Sequence, residues 1–195
     1  MKLGRLLKCC LTLVFLGLLS GCAQYQVQSN KERGYSKEID RLYVWSALAQ
    51  APQLGNKHWT QSDAFSNLFH VTLKRELAAA GVAAEVRDFV AAAETPQSLA
   101  RFETDFAPSF RLLVIPGKAQ TVTYQGTTGL TQLVLDLSLM ELASGRRVWR
   151  AQLVVDNPLG GRMTWGEDGA KNLSGKIIEV LRKDALLASS TSGTR

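Results

Sequence analysis

The sequence predicts an α+β fold, a two-layer sandwich in which a mixed, largely antiparallel sheet is packed by two long amphipathic helices. Three observations carry this. Apolar residues recur at helical spacing over about 62–80 and again over about 168–187. Apolar and polar residues alternate over 130–142, and glycine-containing breaks separate three successive β-prone segments between 118 and 155.

Taken in order, Arg41-Leu42-Tyr43-Val44-Trp45-Ser46 is a β-prone run that reads as the first strand, broken by Pro52 and Gly55 in a loop over 51–58. The first helix spans about 62–80. Thr60 with Asp63 three residues on resembles a capping box, Phe65, Leu68, Phe69, Leu73, Leu77 and Ala80 form the apolar face, and Gly81 supplies the stop. Lys74, Arg75 and Glu76 read as a solvated shoulder. A strand follows over 82–89, then a short helix within 91–105, with Pro96 near its first turn.

Phe110 to Ile115 is almost wholly apolar and runs into Pro116-Gly117, the pattern of a central strand covered on both faces. The segments 118–125, 130–142 and 146–155 then form an antiparallel meander, with turns at 126–129 and 143–145. In the middle segment Leu133, Leu135, Leu137 and Leu139 share one face while Asp136 and Ser138 share the other. A loop over 156–168 leads to the last helix, whose acids lie at its positive end and whose Leu173, Ile177, Val180 and Leu181 turn inward. Residues 188–195 read as a disordered tail. The order of elements allows a parallel pairing near the front of the chain.

The first 21 residues have the layout of a secretory signal: a basic start with Lys2, Arg5 and Lys8, an apolar centre over 11–19, and small residues at the end. The apolar run is shorter than the roughly 20 residues that a spanning helix needs. Leu19-Ser20-Gly21-Cys22 resembles the lipobox of bacterial lipoproteins. That resemblance implies cleavage before Cys22, a diacylglycerol on its thiol and an acyl chain on its new amino group. Ala23 stands where an Asp commonly retains such proteins in the inner membrane, so the resemblance implies an outer-membrane destination, with the domain facing the periplasm. Two or more acyl chains hold a protein stably where one holds it only reversibly.

The expected organisation is therefore a cleaved signal at 1–21, a lipidated flexible tether at 22–40, rich in Gln, Ser, Lys and Glu, a single domain at 41–187, and the tail. Removing the signal takes three basic residues with it and leaves 20 basic against 17 acidic residues. An excess of that size fits proximity to anionic lipid or wall polymer but is too small and scattered for nucleic-acid binding. Cys9 and Cys10 leave with the signal, so the mature chain has only Cys22 and no thiol for a disulfide or a cysteine metal site.

Chemistry-bearing patterns are sparse. His58 and His70 have no partner at a metal-ligand spacing such as HExxH, and no cofactor or metal is expected. No GxSxG elbow occurs, and Ser174 sits in a helical stretch without a signature. Glu94, Glu103, Asp105, Asp136 and Glu141 could form a glycosidase carboxylate pair only if the fold brought two together; surface charge explains them otherwise. The runs 126–129 and 160–162 are glycine-rich without matching a phosphate loop or a dinucleotide fingerprint. Trp149 alternates with Ala151 and Leu153 and reads as core, whereas Trp59, Trp165 and the neighbouring Arg162 lie in loops and are the candidate partner surface.

Ser144-Gly145-Arg146-Arg147-Val148-Trp149-Arg150 resembles a turn-and-strand motif of several families of small envelope lipoproteins, among them ones with the fold of the Tol-system amino-terminal domain and of curli-secretion lipoproteins. The resemblance covers about seven residues and speaks to architecture rather than activity. The expected function is that of a non-enzymatic adaptor that binds another envelope protein in assembly, transport or their regulation. One alternative is a carrier for a small apolar or lipidic ligand, with the leucine-rich face of 133–139 lining a pocket. Another is a wall-acting enzyme, which requires a Ser/His pair or two carboxylates converging in a cleft.

Overall fold

In the computed structural model the described residues are 24–50, 61–88, 105–124, 127–156 and 166–188. They form β1 (Gln24–Lys31), β2 (Arg41–Ser46), a 3-10 turn at Leu48–Gln50, α1 (Gln61–Ala79), β3 (Ala83–Asp88), β4 (Phe110–Tyr124), β5 (Thr127–Glu141), β6 (Arg146–Asp156) and α2 (Glu167–Lys183). The strands make one open sheet in the order β1-β6-β5-β4-β2-β3. β2 is parallel to both of its neighbours, β3 and β4, while the remaining pairs are antiparallel. The predicted mixed sheet with two helices is what the chain forms, and the parallel part lies near the front because α1 carries the chain back before β3.

The core lies between the sheet and the two helices. β5 contributes Leu133, Leu135, Leu137 and Leu139, β4 contributes Phe110, Leu112 and Val114, and β6 contributes Trp149, Ala151, Leu153 and Val155. Phe65, Phe69, Leu73 and Leu77 of α1 and Leu173, Ile177, Ile178 and Leu181 of α2 close over them. Burial of a leucine of this kind contributes about 1.5–3 kcal/mol relative to exposure. Leu68, expected on the inner face of α1, is instead 38% exposed, and Val71 is 69% exposed. Ser66 and Thr72 occupy buried positions on the same helix.

Both helices end in the same backbone motif. After α1, Gly81 adopts φ +81° and its N–H donates to Ala78, while the N–H of Val82 donates to Leu77 at 2.9 Å. After α2 the left-handed position is taken by Ala185, at φ +51°; its N–H donates to Arg182 and that of Leu186 to Leu181, each at 2.9 Å. The second helix therefore stops at Lys183, not at Leu187 as periodicity predicts. Leu186 and Leu187 are buried beyond the helix end, and the Leu186 carbonyl accepts the Ile39 N–H at 2.8 Å. An apolar pair continuing the inner face reads as helix, although the chain has already turned. The Trp149 indole N–H donates to Asp184 at 2.6 Å, which ties the α2 terminus to β6.

Two further expectations change. Residues 24–31, read as part of a flexible tether, are an edge strand, antiparallel to β6 from Gln24↔Asp156 to Lys31↔Trp149. Tyr25 and Val27 pack against the core from it. Their period-two signal is short and diluted by glutamines, which β6 nonetheless accepts because the glutamines fall on the outer face. The second change concerns Pro116-Gly117, read as the end of a strand. The strand continues through it to Tyr124, with irregularities between Pro116 and Ala119 and between Gln120 and Thr121. A proline forfeits one ladder hydrogen bond, which a bulge accommodates. The short helix expected within 91–105 and the tail lie almost wholly outside the described residues.

Deleting residues 24–31 removes Tyr25 and Val27 from the core and exposes the edge of β6. A domain starting at Glu32 should therefore melt several degrees lower and lose stability in urea, whereas a dispensable tether would leave the midpoint unchanged. Leu135→Ala should cost about 2–5 kcal/mol in the same titration.

Candidate functional site on the outer sheet face

Alternation that sends the leucines of β5 into the core sends Val134, Asp136 and Ser138 to the outer face, the one turned away from α1 and α2. Register then aligns Gln28 of β1 with Gln152 of β6 and Asp136 of β5, and Asn30 with Arg150 and Ser138. The three strands thus lay amide, hydroxyl and charged groups side by side. Between them is an open groove of about 560 Å³, lined by Gln28, Asn30, Asp136, Ser138, Arg147 and Arg150 together with Gln152.

The carboxylates of this face are engaged by neutral amides. Gln152 Nε2 donates to Asp136 Oδ1 at 3.2 Å, and Asp156 accepts from Gln132 at 2.6 Å and from Gln26 at 3.3 Å. Asp136 also lies over Gly117, where an added Cβ would meet its Oδ2 at 2.9 Å, so the strand irregularity leaves the room that the carboxylate occupies. Arg147 and Arg150 are exposed and form no ion pair with another described residue. The groove therefore offers two unneutralised guanidinium groups above a floor of amide donors and acceptors, a surface that suits an acidic or amide-bearing extended segment.

Toward β2 the outer face changes character. Tyr43 and Trp45 are buried on it and stack edge to face at 5.4 Å, and the Arg111 guanidinium lies 4.4 Å from the Trp45 ring. At the far end of the sheet, where Glu141 pairs with Arg146, Lys37 binds Glu141 at 2.7 Å and Arg146 binds Glu32. Lys37 and Ser144 together hold the Glu141 carboxyl below its usual range, and burial with the adjacent Glu141 pushes the Tyr35 phenol up to about 12.

The structure does bring one Ser, one His and one Asp together. Ser66 Oγ donates to Asp88 Oδ1 at 2.7 Å, and His70 Nε2 lies 3.2 Å from Ser66 Oγ and 3.4 Å from Asp88 Oδ1. A nucleophilic triad needs the acid on one imidazole nitrogen and the hydroxyl on the other. Here both meet Nε2, and the serine proton goes directly to the carboxylate. Ser66 is fully buried, so the cluster joins α1 to the edge strand β3 instead of presenting a nucleophile. Burial, the larger influence, lowers the His70 pKa despite the opposing pull of Asp88.

The other sequence candidates are dispersed. Ser174 is fully buried in α2, and its hydroxyl has no hydrogen-bond partner among the described residues. Asp136 and Glu141 stand about 17 Å apart along β5 at 3.4 Å per residue, beyond the separation of either glycosidase geometry. Leu133, Leu135, Leu137 and Leu139 are sealed in the core, at 0–2% exposure, and of the four Leu137 alone borders the groove of the outer face. Among the described residues no three His, Cys, Asp or Glu converge to hold a metal, and no helix is long and apolar enough to cross a membrane. Leu19, Ser20, Gly21, Cys22, Ala23, His58, Trp59, Glu94, Glu103, Arg162 and Trp165 lie outside the described residues. The groove residues were missed because polar side chains on three strands separated in sequence signal nothing until register aligns them.

No family model and no curated protein matches the chain. Solved structures similar to it include a PelC dodecamer from Paraburkholderia phytofirmans, at 15% identity over 81% of this chain and 98% of that one, with a TM-score of 0.46. They also include lipoprotein GNA1162 from Neisseria meningitidis, at 10% identity, 74% and 96% coverage and a TM-score of 0.38. A third is a minor lipoprotein from Acinetobacter baumannii, at 14% identity, 77% and 98% coverage and a TM-score of 0.33.

The His70 environment predicts a pH dependence. Its folded pKa lies below the unfolded value near 6.5, so the unfolded chain binds the extra proton first. The contribution of neutral His70 is complete above about pH 6.5 and is lost as pH falls through the folded pKa. Chemical denaturation at stepped pH should show this loss in the natural chain, and His70→Asn should flatten that part of the curve.

Proposed function

We propose that this chain is a lipid-anchored envelope protein that acts by binding a partner protein and not by catalysis. The observation that carries the reading is Leu19-Ser20-Gly21-Cys22, closing a basic and then apolar leader. Two or three acyl chains on Cys22 would hold the domain permanently at a membrane. Ala23 favours the outer membrane, and the domain would then face the periplasm. What the folded part offers a partner is the groove of the outer face, with Arg147 and Arg150 for acidic groups and Gln28, Asn30 and Gln152 for backbone amides. Trp59, Arg162 and Trp165, which lie outside the described residues, are a second proposed contact set, with aromatic anchors of the kind that dominate binding energies.

The anchor and the groove are tested separately. Mass analysis of the protein from cells should show fatty acids on residue 22, and Ala23→Asp should move it from the outer-membrane to the inner-membrane fraction. Crosslinking of the native lipoprotein in cells should capture an envelope protein, and Arg147→Glu with Arg150→Glu should lower the yield at least tenfold without lowering the melting temperature. Equal capture by the double variant would remove the groove from the reading, and a parallel loss on replacing Trp59 and Trp165 would assign the contact to the loops.

A further inference from the structure

The register of the sheet places the chain's attachment point and the β4–β5 hairpin at the same end. Gln24, the first residue of β1, pairs with Asp156, which pairs with Gln132 of β5, which pairs with Gln120 of β4. These four residues form one row across the sheet. β1 and β5 run in the same direction, because each is antiparallel to β6. The residues that precede Gln24 and those that precede Gln132 therefore leave the row toward the same side.

They leave it by different lengths. Cys22 is two residues before Gln24 and can reach at most about 7 Å beyond the row. β5 begins at Thr127, five residues before Gln132, and β4 stays paired with it up to Tyr124↔Thr127. At 3.3–3.4 Å per residue, the four residues of β4 past Gln120 and the five of β5 before Gln132 put the hairpin end about 13–17 Å beyond the row. It overshoots the attachment point by at least about 6 Å, comparable to the thickness of a lipid headgroup layer.

Composition along the strands follows the same axis. From Ala119 to Leu135 the chain has no charged residue, and the paired hairpin strands supply Val122, Tyr124 and Leu130 among threonines. Tyrosine favours the membrane interface, and a paired hairpin already satisfies most of its backbone polar groups. The last charge before this run is the exposed Lys118, two residues from the row on the side away from the hairpin end. The opposite end of the sheet holds the charged cluster of Glu32, Lys37, Glu141 and Arg146.

We propose that the hairpin end of β4 and β5 inserts into the headgroup layer of the bilayer to which Cys22 is anchored, so that the sheet stands on the membrane with its strands across the surface plane and its charged end outward. This rests on the acylation of Cys22 proposed above. The occupant of this surface is a phospholipid bilayer, because an anchor only two residues from β1 leaves the domain too little chain to stand away from it.

The test uses the full chain, acylated in cells, purified and reconstituted in vesicles of phosphatidylethanolamine and phosphatidylglycerol. Single cysteines introduced as T123C, T128C or, as the far-end control, S144C carry an environment-sensitive fluorophore; Cys22 is blocked by its lipid. The probes at 123 and 128 should shift to the blue and be quenched at least threefold more by shallow nitroxide lipids than the probe at 144, with the reverse order for aqueous iodide. Probes at all three positions equally open to iodide, on a protein whose mass shows acylation, would overturn the insertion while leaving the anchor standing. A mass without fatty acid would overturn both. Unchanged thermal melting of the labelled variants shows that the comparison is made on folded protein, and positions 123 and 128, being cross-strand partners, report the same depth independently.

Discussion

The structure depends on the burial of one face of one sheet by two helices. Leu133, Leu135, Leu137 and Leu139 sit at the middle of that face, flanked by the apolar residues of β4 and β6 and covered by α1 and α2. Because successive side chains of a strand point to opposite faces, the burial of these four leaves Asp136 and Ser138 no choice of side. A slip of one residue would expose the leucines and bury a carboxylate. The same constraint that builds the core thus builds the groove, and the position of Arg150 opposite Ser138 follows from it.

Polar residues inside or beside the core are used to join elements. Trp149 is buried as part of the apolar face of β6, yet its indole N–H reaches Asp184 just past the end of α2. Ser66, His70 and Asp88 fasten α1 to the edge strand β3. A Ser, a His and an Asp within hydrogen-bond reach resemble a catalytic set by composition. Which nitrogen faces which partner decides that they are a clamp, since a hydroxyl that gives its proton to a carboxylate has no base left to activate it.

The two ends of the sheet differ in a way that bears on how the molecule would be placed in an envelope. One end gathers ion pairs that join β5 and β6 to the segment that follows β1; the other carries the uncharged hairpin and the start of the chain's described part. The groove lies along the outer face between these ends. On a membrane approached by the hairpin end, the groove would open sideways, parallel to the bilayer and free of it, and Arg147 and Arg150 would be reached from the aqueous phase. The proposed anchor would then set the height and orientation of the proposed binding surface.

Local patterns in the chain determined most of the elements. The period of two in β5 and the period of 3.6 in both helices come from residues that must share a face, and Gly81 marked the end of α1 because the left-handed turn there favours a residue without a side chain. The pattern over 1–22 that resembles a lipoprotein signal is contiguous and can be read without the fold, but it lies outside the described residues. Tertiary structure alone decided the rest. That 24–31 is a strand depends on an open edge of β6 more than a hundred residues away, and that α2 ends at Lys183 depends on Asp184 finding Trp149 and on Leu186 finding Ile39. The groove exists only where β1, β6 and β5 lie side by side. Such features are long-range pairings, and a pairing leaves no mark in either partner's own stretch of sequence when neither stretch is strongly patterned by itself.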